Sequence, residues 1–243
     1  IDMSLEKDIE AHFQENGIDH EKVAYCITDL EHNIKYSMNE KDEFIAASIY
    51  KLPLAMLYYD KVNEGEYTLD STFTYSGYMH EDAGVISSDY GIGSQVPLSD
   101  LLNDLIIYSD NDAGHILYEN LGGWKEYKEA MTKYTDSISE NYYTMDNVTT
   151  ANTMNDVVTY LYDHKEDYKG LIKNMEKAEP GEYLDRDTQL SMPQKYGMYD
   201  YALNSVGFVE CNTSYSIVVL TSLGDKGADV MANINRIAYE HFK

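Results

Sequence analysis

The chain has 243 residues and a formal net charge of −25, because 43 acidic residues outnumber 18 lysines and arginines. Hydrophobic residues make up 43% of the sequence, which is enough for a sizeable core and argues against disorder. The acidic balance excludes nucleic acid and anionic membrane surfaces as partners. No apolar run approaches the roughly 18 residues that a membrane span needs, so we expect no membrane insertion.

The N-terminal part of the chain predicts one helix, a hairpin and a second helix. Residues 4–16 carry apolar side chains at helical spacing, and Gly17 follows as a stop signal. Residues 23–30 and 34–38 have the composition of two strands around a short turn, which predicts a hairpin. Residues 48–63 are apolar on nearly every face, as is typical of a buried central helix.

The rest of the chain is helical first and strand-rich later. Periodicity predicts two apolar helices within 99–121 and further helices in 124–133 and 150–163. Residues 190–223 have the pattern of three successive strands, and 227–243 that of a closing amphipathic helix.

This order of elements predicts an α/β fold of the α+β type. Pairing the strands from both chain ends gives one five-stranded antiparallel sheet flanked by helices, with an inserted all-helical lobe. We therefore expect residues 1–243 to form a single domain. Its α/β sub-lobe comprises 1–45 plus 185–243, and its helical sub-lobe comprises 46–184. A cleft between the two sub-lobes is the natural ligand site.

The sequence Ser-Ile-Tyr-Lys at 48–51 is the first candidate for chemistry. Ser48 stands where the central helix begins, and Lys51 lies on the same face one turn later. A serine hydroxyl needs a neighbouring base to act as a nucleophile, and a buried lysine can be that base when it is neutral. Serine is also an ordinary helix cap, but a lysine three residues later opposes the helix dipole, which favours a functional interpretation.

Two further short motifs follow along the chain. Ser109-Asp110-Asn111 interrupts two apolar helical runs and could present a hydroxyl and an amide to a cleft. Lys195-Tyr196-Gly197 lies in a predicted strand, where a lysine and a glycine can place a cation and bare backbone beside a ligand. Each motif alone is weak, but the three occur in order on suitable elements.

The three motifs together resemble the S-x-x-K, S-D-N and K-T-G motifs of class A β-lactamases and penicillin-binding proteins, over nearly the whole chain. The resemblance implies an acyl-enzyme mechanism in which Ser48 attacks an amide carbonyl and Lys51 takes its proton. Ser109 would pass a proton to the leaving nitrogen, helped by Lys195, and Asn111 would hold the substrate amide and brace Lys51.

The resemblance also implies how substrate is bound. The backbone N–H groups of Ser48 and Met198 would form the oxyanion hole, and Gly197 would leave room beside them. A substrate carboxylate would face Lys195. The substrates implied are β-lactams or amides of the peptidoglycan type.

The chain departs from the family at two places. Tyr196 stands where the family has a threonine or serine whose hydroxyl binds the substrate carboxylate, so carboxylate recognition must be built differently. The segment from Trp124 to Val148 is also shorter than the family's loop that carries the deacylating glutamate. Glu140 is the only acid there that we consider as a substitute base, so efficient β-lactam hydrolysis is doubtful.

Alternatives remain open at this point. The chain could be a β-lactamase that uses Glu140, a D,D-peptidase-like enzyme, or a non-catalytic module that binds or senses the cell wall. The seven histidines lack metal spacing, and Cys26 and Cys211 form no disulfide framework, so we expect no metal and no other cofactor.

The family resemblance also bears on partners and location. It implies a bacterial, secreted or extracytoplasmic protein, and we expect a monomer that binds a small molecule or cell-wall peptide. The chain shows no export signal of the basic-then-apolar kind, so we expect any such signal to have been removed already. The family resemblance leaves open an anchor through a missing N-terminal segment.

Overall fold

The structure is a computed structural model that describes residues 2–81 and 83–243. The helices are α1 (Ser4–Asn16), α2 (Lys51–Asn63), α3 (Val85–Asp89), α4 (Leu98–Ile107), α5 (Asn111–Asn120), α6 (Trp124–Ala130), α7 (Ala151–Asp163), α8 (Lys169–Glu176) and α9 (Lys226–Phe242). The strands are β1 (Val23–Asp29), β2 (Ile34–Met38), β3 (Phe44–Ile45), β4 (Thr72–Thr74), β5 (Gln95–Pro97), β6 (Val148–Thr149), β7 (Gln194–Tyr199), β8 (Ala202–Val209) and β9 (Tyr215–Thr221).

Five of the strands form one antiparallel sheet in the order β2-β1-β9-β8-β7. The N-terminal hairpin joins the C-terminal strands where β1 pairs with β9, with Cys26 opposite Val218. The predicted five-stranded antiparallel sheet built from both chain ends is confirmed, and so is the helical lobe inserted between them. Strand β7 lies at one edge of the sheet, where its face is available to the lobe.

Both faces of the sheet are covered, which explains why β1, β8 and β9 are buried at every residue. Side chains alternate between the faces of a strand. Ala24 and Cys26 of β1 pack into the core under the helical lobe. Their neighbours Val23 and Tyr25 pack into a second core beneath α1 and α9. The two cores hold the sheet between the terminal helices and the lobe.

Helix α2 is the central element of the lobe. Its first eight residues, from Lys51 to Tyr58, are all buried, as the apolar sequence predicts. Such a helix has no solvated face, so it is held by packing from all sides, including α4 and α5. Its N-terminal end points toward β7, because the 3₁₀ turn that precedes it, Ala47–Tyr50, contacts that strand.

The structure contains two short two-stranded ladders that the sequence analysis did not predict. Strand β3, at the end of the N-terminal α/β segment, pairs with β6, and β4 pairs with β5 within the helical lobe. Within the described residues, no helix has both the length and the apolar character to cross a membrane. Both cysteines are free thiols, with Cys26 buried and Cys211 half-buried.

Candidate active site

Ser48 lies in the 3₁₀ turn directly before α2, and two asparagines fix the backbone that leads to it. Asn204 of β8 donates from Nδ2 to the carbonyl oxygens of Ile45 and Ala46, at 2.9 Å each. Asn147 donates from Nδ2 to the carbonyl oxygen of Ala47 at 3.0 Å. Three successive carbonyl groups before Ser48 are thus held by side chains from the sheet and from the loop before β6.

Lys51 occupies the centre of the site. Its side chain has no exposed surface, and its Nζ is surrounded by four oxygens. They are Ser48 Oγ at 3.1 Å, Ser109 Oγ at 3.2 Å, the carbonyl oxygen of Ser109 at 2.7 Å, and Asn111 Oδ1 at 2.6 Å. One amine therefore joins the helix start and the loop between α4 and α5.

The protonation of Lys51 is set mainly by its burial. Desolvation lowers the pKa of its ammonium from 10.5 to about 8, while the charges of Asp110 and Glu81 act in the opposite direction. At neutral pH roughly a tenth of such an amine is uncharged and able to accept a proton. Lys51 therefore has the geometry and the pKa of a general base for Ser48.

Ser109 is held in an unusual backbone conformation. Its φ is +54°, in the left-handed region that side-chain-bearing residues rarely adopt. The next residue stabilises it: Asp110 caps α5 by accepting from the backbone N–H of Ala113 at 2.9 Å, and it also accepts from Ile86 N–H at 3.0 Å. Ala47, just before Ser48, has φ +53°. Strained residues of this kind are concentrated at functional sites.

Lys195 of β7 is a second amine that contacts Ser109. Its Nζ donates to Ser109 Oγ at 3.0 Å and to the carbonyl oxygen of Tyr196 at 2.6 Å, and the side chain has no exposed surface. Burial first, and then the nearby charge of Lys51, lower the pKa of Lys195 well below its ordinary value. One serine hydroxyl thus lies between two buried amines.

Gly197 brings β7 into direct contact with the helix start. A Cβ added there would lie 2.6 Å from the backbone nitrogen of Ser48 and 2.8 Å from that of Ile49, closer than real Cβ atoms come. The next residue, Met198, has a side chain that is 57% exposed. Bare backbone at Gly197 is therefore what lets the strand pass beside the nucleophile.

The remaining predicted residues lie at different places. Asn111 begins α5, and although its side chain braces Lys51, the residue is exposed enough to meet a ligand. Tyr196 is half-buried and stacks on Tyr183, with ring centroids 4.6 Å apart. Glu140 is exposed and lines a separate surface cavity of about 560 Å³ together with Glu43 and Asp136. None of the predicted catalytic residues lines that cavity.

The sequence matches the model of the β-lactamase enzyme family over residues 4–242. The chain belongs to this family. It is therefore a serine hydrolase of the β-lactamase-like class. A search of curated proteins finds no significant match.

Solved structures share the fold at low sequence identity. A β-lactamase from Chitinophaga pinensis is 20% identical, with a TM-score of 0.83 over 99% of this chain and 100% of that one. TLA-3 extended-spectrum β-lactamase is 19% identical, with a TM-score of 0.83 over 98% of each chain. PBP-A is 16% identical, with a TM-score of 0.80 over 97% of this chain and 96% of that one.

The sequence analysis missed the residues that hold the site together from a distance. Asn147 and Asn204 fix the backbone before Ser48, and the Tyr127 hydroxyl donates to the carbonyl oxygen of Tyr50 at 2.9 Å. An asparagine within the apolar strand β8 was the one available signal, since a buried amide needs partners. No local pattern marked the other two. Within residues 2–81 and 83–243, no cluster of His, Cys, Asp or Glu is placed to hold a metal ion.

The close approach at Gly197 gives a test of the geometry. We expect Gly197→Ala to lower the free energy of unfolding by about 1–3 kcal/mol, because the new methyl group displaces β7 from the helix start. Gly91→Ala is the matched control, since an added Cβ there meets only Ser94 Oγ at 3.9 Å. Urea denaturation followed by fluorescence measures both variants, and equal midpoints would contradict the contact.

Proposed function

We propose that this protein is an active-site serine hydrolase that forms an acyl-enzyme at Ser48 with β-lactam or peptidoglycan-like amide substrates and hydrolyses it slowly. The observation that carries the proposal is the position of one buried amine, Lys51 Nζ, 3.1 Å from Ser48 Oγ and 3.2 Å from Ser109 Oγ. A base within reach of both hydroxyls can move protons for bond formation and for bond cleavage.

In the first step, Ser48 Oγ forms a bond to the substrate carbonyl carbon while its proton moves to the neutral amine of Lys51. The negative charge that develops on the carbonyl oxygen needs donors that are already in place. The backbone N–H groups of Ser48 and Met198 are the proposed donors. The contact between Gly197 and the helix start supports this, because it keeps strand and helix backbones adjacent.

In the second step, the bond to the leaving nitrogen breaks and that nitrogen takes a proton from Ser109 Oγ. Ser109 is reprotonated from the ammonium of Lys51, which returns that amine to its neutral form. Lys195, 3.0 Å from the same hydroxyl, helps the transfer by holding Ser109 Oγ in place. Asn111, which is bonded to Lys51 and exposed on its outer side, is the proposed contact for the substrate amide.

Release of the acyl group requires a base for water, and this is the weak step. In the described part of the chain, the Ser48 hydroxyl is bonded to the Lys51 amine, and that amine is bonded to hydroxyl, carbonyl and amide oxygens and to no carboxylate. Glu140 lines another cavity. A variant of PBP-A, which shares this fold, is known as an acyl-enzyme complex with penicillin G. We therefore infer that acylation here outpaces hydrolysis.

The proposal is preferred over a non-catalytic wall-binding module for a physical reason. Burying two amines beside one hydroxyl is costly, and binding alone does not need it. Cleavage of cell-wall peptides remains the second candidate within the same chemistry. Extracytoplasmic location and a monomeric state remain predictions.

Acylation is tested by intact-mass spectrometry after incubation with an excess of benzylpenicillin. We expect the protein to gain the mass of one drug molecule and peptide mapping to locate it at Ser48. Ser48→Ala should gain nothing, whereas Ser88→Ala, at an exposed serine, should react like the unmodified protein. A folded protein that stays unlabelled would contradict the acyl-enzyme.

The pH dependence of acylation follows from the pKa of Lys51, which burial lowers to about 8. Since the neutral amine is the active form, the acylation rate constant should rise about tenfold per pH unit below 8 and level off above it. Stopped-flow or quenched mass spectrometry between pH 6 and 10 measures this. A rate that falls as the pH rises through 8 would exclude Lys51 as the base.

Turnover distinguishes this proposal from a β-lactamase that uses Glu140. We expect a burst of chromogenic cephalosporin cleavage close to one equivalent, followed by a much slower steady rate. Glu140→Gln should leave both phases unchanged, because that carboxylate faces a separate cavity. Rapid steady hydrolysis that Glu140→Gln abolishes would show that this residue supplies the deacylating base.

A further inference from the structure

We propose that this site does not recognise a carboxylate or other anionic group beside the scissile bond of its acyl donor, so that the uncharged, apolar members of the proposed substrate class react best. The inference rests on the proposed acyl transfer at Ser48 and narrows its substrate class. It differs from the family resemblance, which implies that a substrate carboxylate faces Lys195. Four observations support it.

The first observation is that the ammonium group of Lys195 is already fully engaged. It donates to Ser109 Oγ at 3.0 Å and to the carbonyl oxygen of Tyr196 at 2.6 Å. Its Nζ also lies 4.2 Å from the centre of the Tyr196 ring. Even when protonated, a lysine amine has only three N–H donors, and this one has no exposed surface from which to bind an incoming anion.

The second observation concerns Tyr196 itself. Its ring stacks on Tyr183 at an angle of 18° and covers the lysine amine instead of presenting a short hydroxyl to a ligand. The face of an aromatic ring carries partial negative charge, which attracts a cation and repels a carboxylate. The position that would bind a carboxylate through a hydroxyl therefore presents a ring.

The third observation is that neither arginine nor the Lys51 amine is placed to bind a carboxylate in the site. The chain has two arginines: Arg186 is paired with Asp187 and Asp229, and Arg236 lines a distant cavity between α1 and α9. The four oxygens around Lys51 leave no donor of that amine for a ligand. A carboxylate entering the site would be desolvated without a partner, which is costly.

The acidic residues near the two amines also disfavour an anionic substrate. Glu179 is the acid whose charge acts on Lys195, and Glu81 is one of those that act on Lys51. The protein as a whole carries a formal charge of −25, so an anionic substrate is also repelled at long range. An uncharged substrate meets neither penalty.

The fourth observation is an apolar rim, by which we mean the large exposed side chains that neighbour the catalytic residues along the chain. Tyr108 precedes Ser109 and is 58% exposed, while Met198 and Tyr199 follow Gly197 and are 57% and 68% exposed. Large apolar side chains at this exposure are suited to contact an apolar substrate. The rim thus offers binding energy to the same uncharged class that the charges favour.

The test compares benzylpenicillin with its methyl ester, a pair that differs in the one carboxylate. Acylation rate constants at Ser48 are measured by intact-mass spectrometry and divided by the rates of alkaline hydrolysis of each compound without protein. We expect the methyl ester to react about tenfold faster than the free acid after this correction. Equal or faster reaction of the free acid would overturn the inference.

A substitution at Tyr196 and a salt titration of the unmodified protein provide two further tests of the inference. Tyr196→Thr should lower the ratio of the ester rate to the acid rate several-fold, because a short hydroxyl replaces the ring. Tyr201→Thr is the control: it changes an exposed tyrosine beyond the strand and should leave the ratio unchanged. In the unmodified protein, raising the ionic strength should speed the free acid and leave the ester unaffected, since salt screens repulsion. A free acid that is slowed by salt would count against the inference.

The outcomes also separate this inference from the proposed function. If the free acid labels Ser48 at least as fast as the ester does, the proposed acyl-enzyme still holds and the inferred preference for uncharged substrates is wrong. Failure of both compounds to label a folded protein would overturn the acyl transfer and the inference together.

Discussion

The burial of two lysine amines around one serine hydroxyl is the constraint on which this protein depends. Lys51 and Lys195 both have no exposed surface, and their Nζ atoms lie 3.2 Å and 3.0 Å from Ser109 Oγ. Two charged ammonium groups at such a place are unfavourable, both through desolvation and through mutual repulsion. The arrangement therefore favours a neutral amine, which is the form that can accept a proton from Ser48.

The cost of this arrangement is offset by the elements that surround it. Helix α2 is buried on every side over its first turns, and the sheet is covered on both faces. Two asparagine side chains fix the backbone before Ser48, and a capping aspartate fixes the loop after Ser109. A residue such as Ala47 rarely adopts a positive φ by itself. Hydrogen bonds to the surrounding main-chain groups stabilise that conformation here.

The segment from α6 to β6 helps to hold the backbone before Ser48 in place. Lys128 of α6 is buried and donates to the carbonyl oxygens of Tyr142 and Met145 at 2.7 Å and 2.6 Å, while Trp124 Nε1 donates to that of Asp146 at 2.7 Å. The segment is thus tied down just before Asn147 reaches the carbonyl of Ala47. It contributes the Asn147 amide that holds the backbone before Ser48, while its acidic residues Asp136 and Glu140 line a separate surface cavity. In the proposed mechanism, the same loop therefore helps to position Ser48 for attack but supplies no base for water.

Local sequence patterns were enough to predict the fold class, the order of the main helices and of the five sheet strands, and the five motif residues Ser48, Lys51, Ser109, Asn111 and Lys195. These rest on local patterns: period-two strands, apolar helices, and short motifs whose side chains are close along the chain or on one helix face. The sequence analysis also expected Gly197 to leave bare backbone beside a ligand, but it did not predict the close approach of Gly197 to the backbone of Ser48.

How these residues come together, and which of their donors stay free for a ligand, depends on the folded chain. The convergence of a helix start, an interhelical loop and an edge strand is set by long-range packing, which no local pattern specifies. Burial of the Lys195 amine, the stacking of Tyr196 on Tyr183 and the backbone bonds of Asn147 depend on residues far apart in the chain. Solvent exclusion and partner geometry are properties of the folded chain, and they determine the pKa values of the two amines.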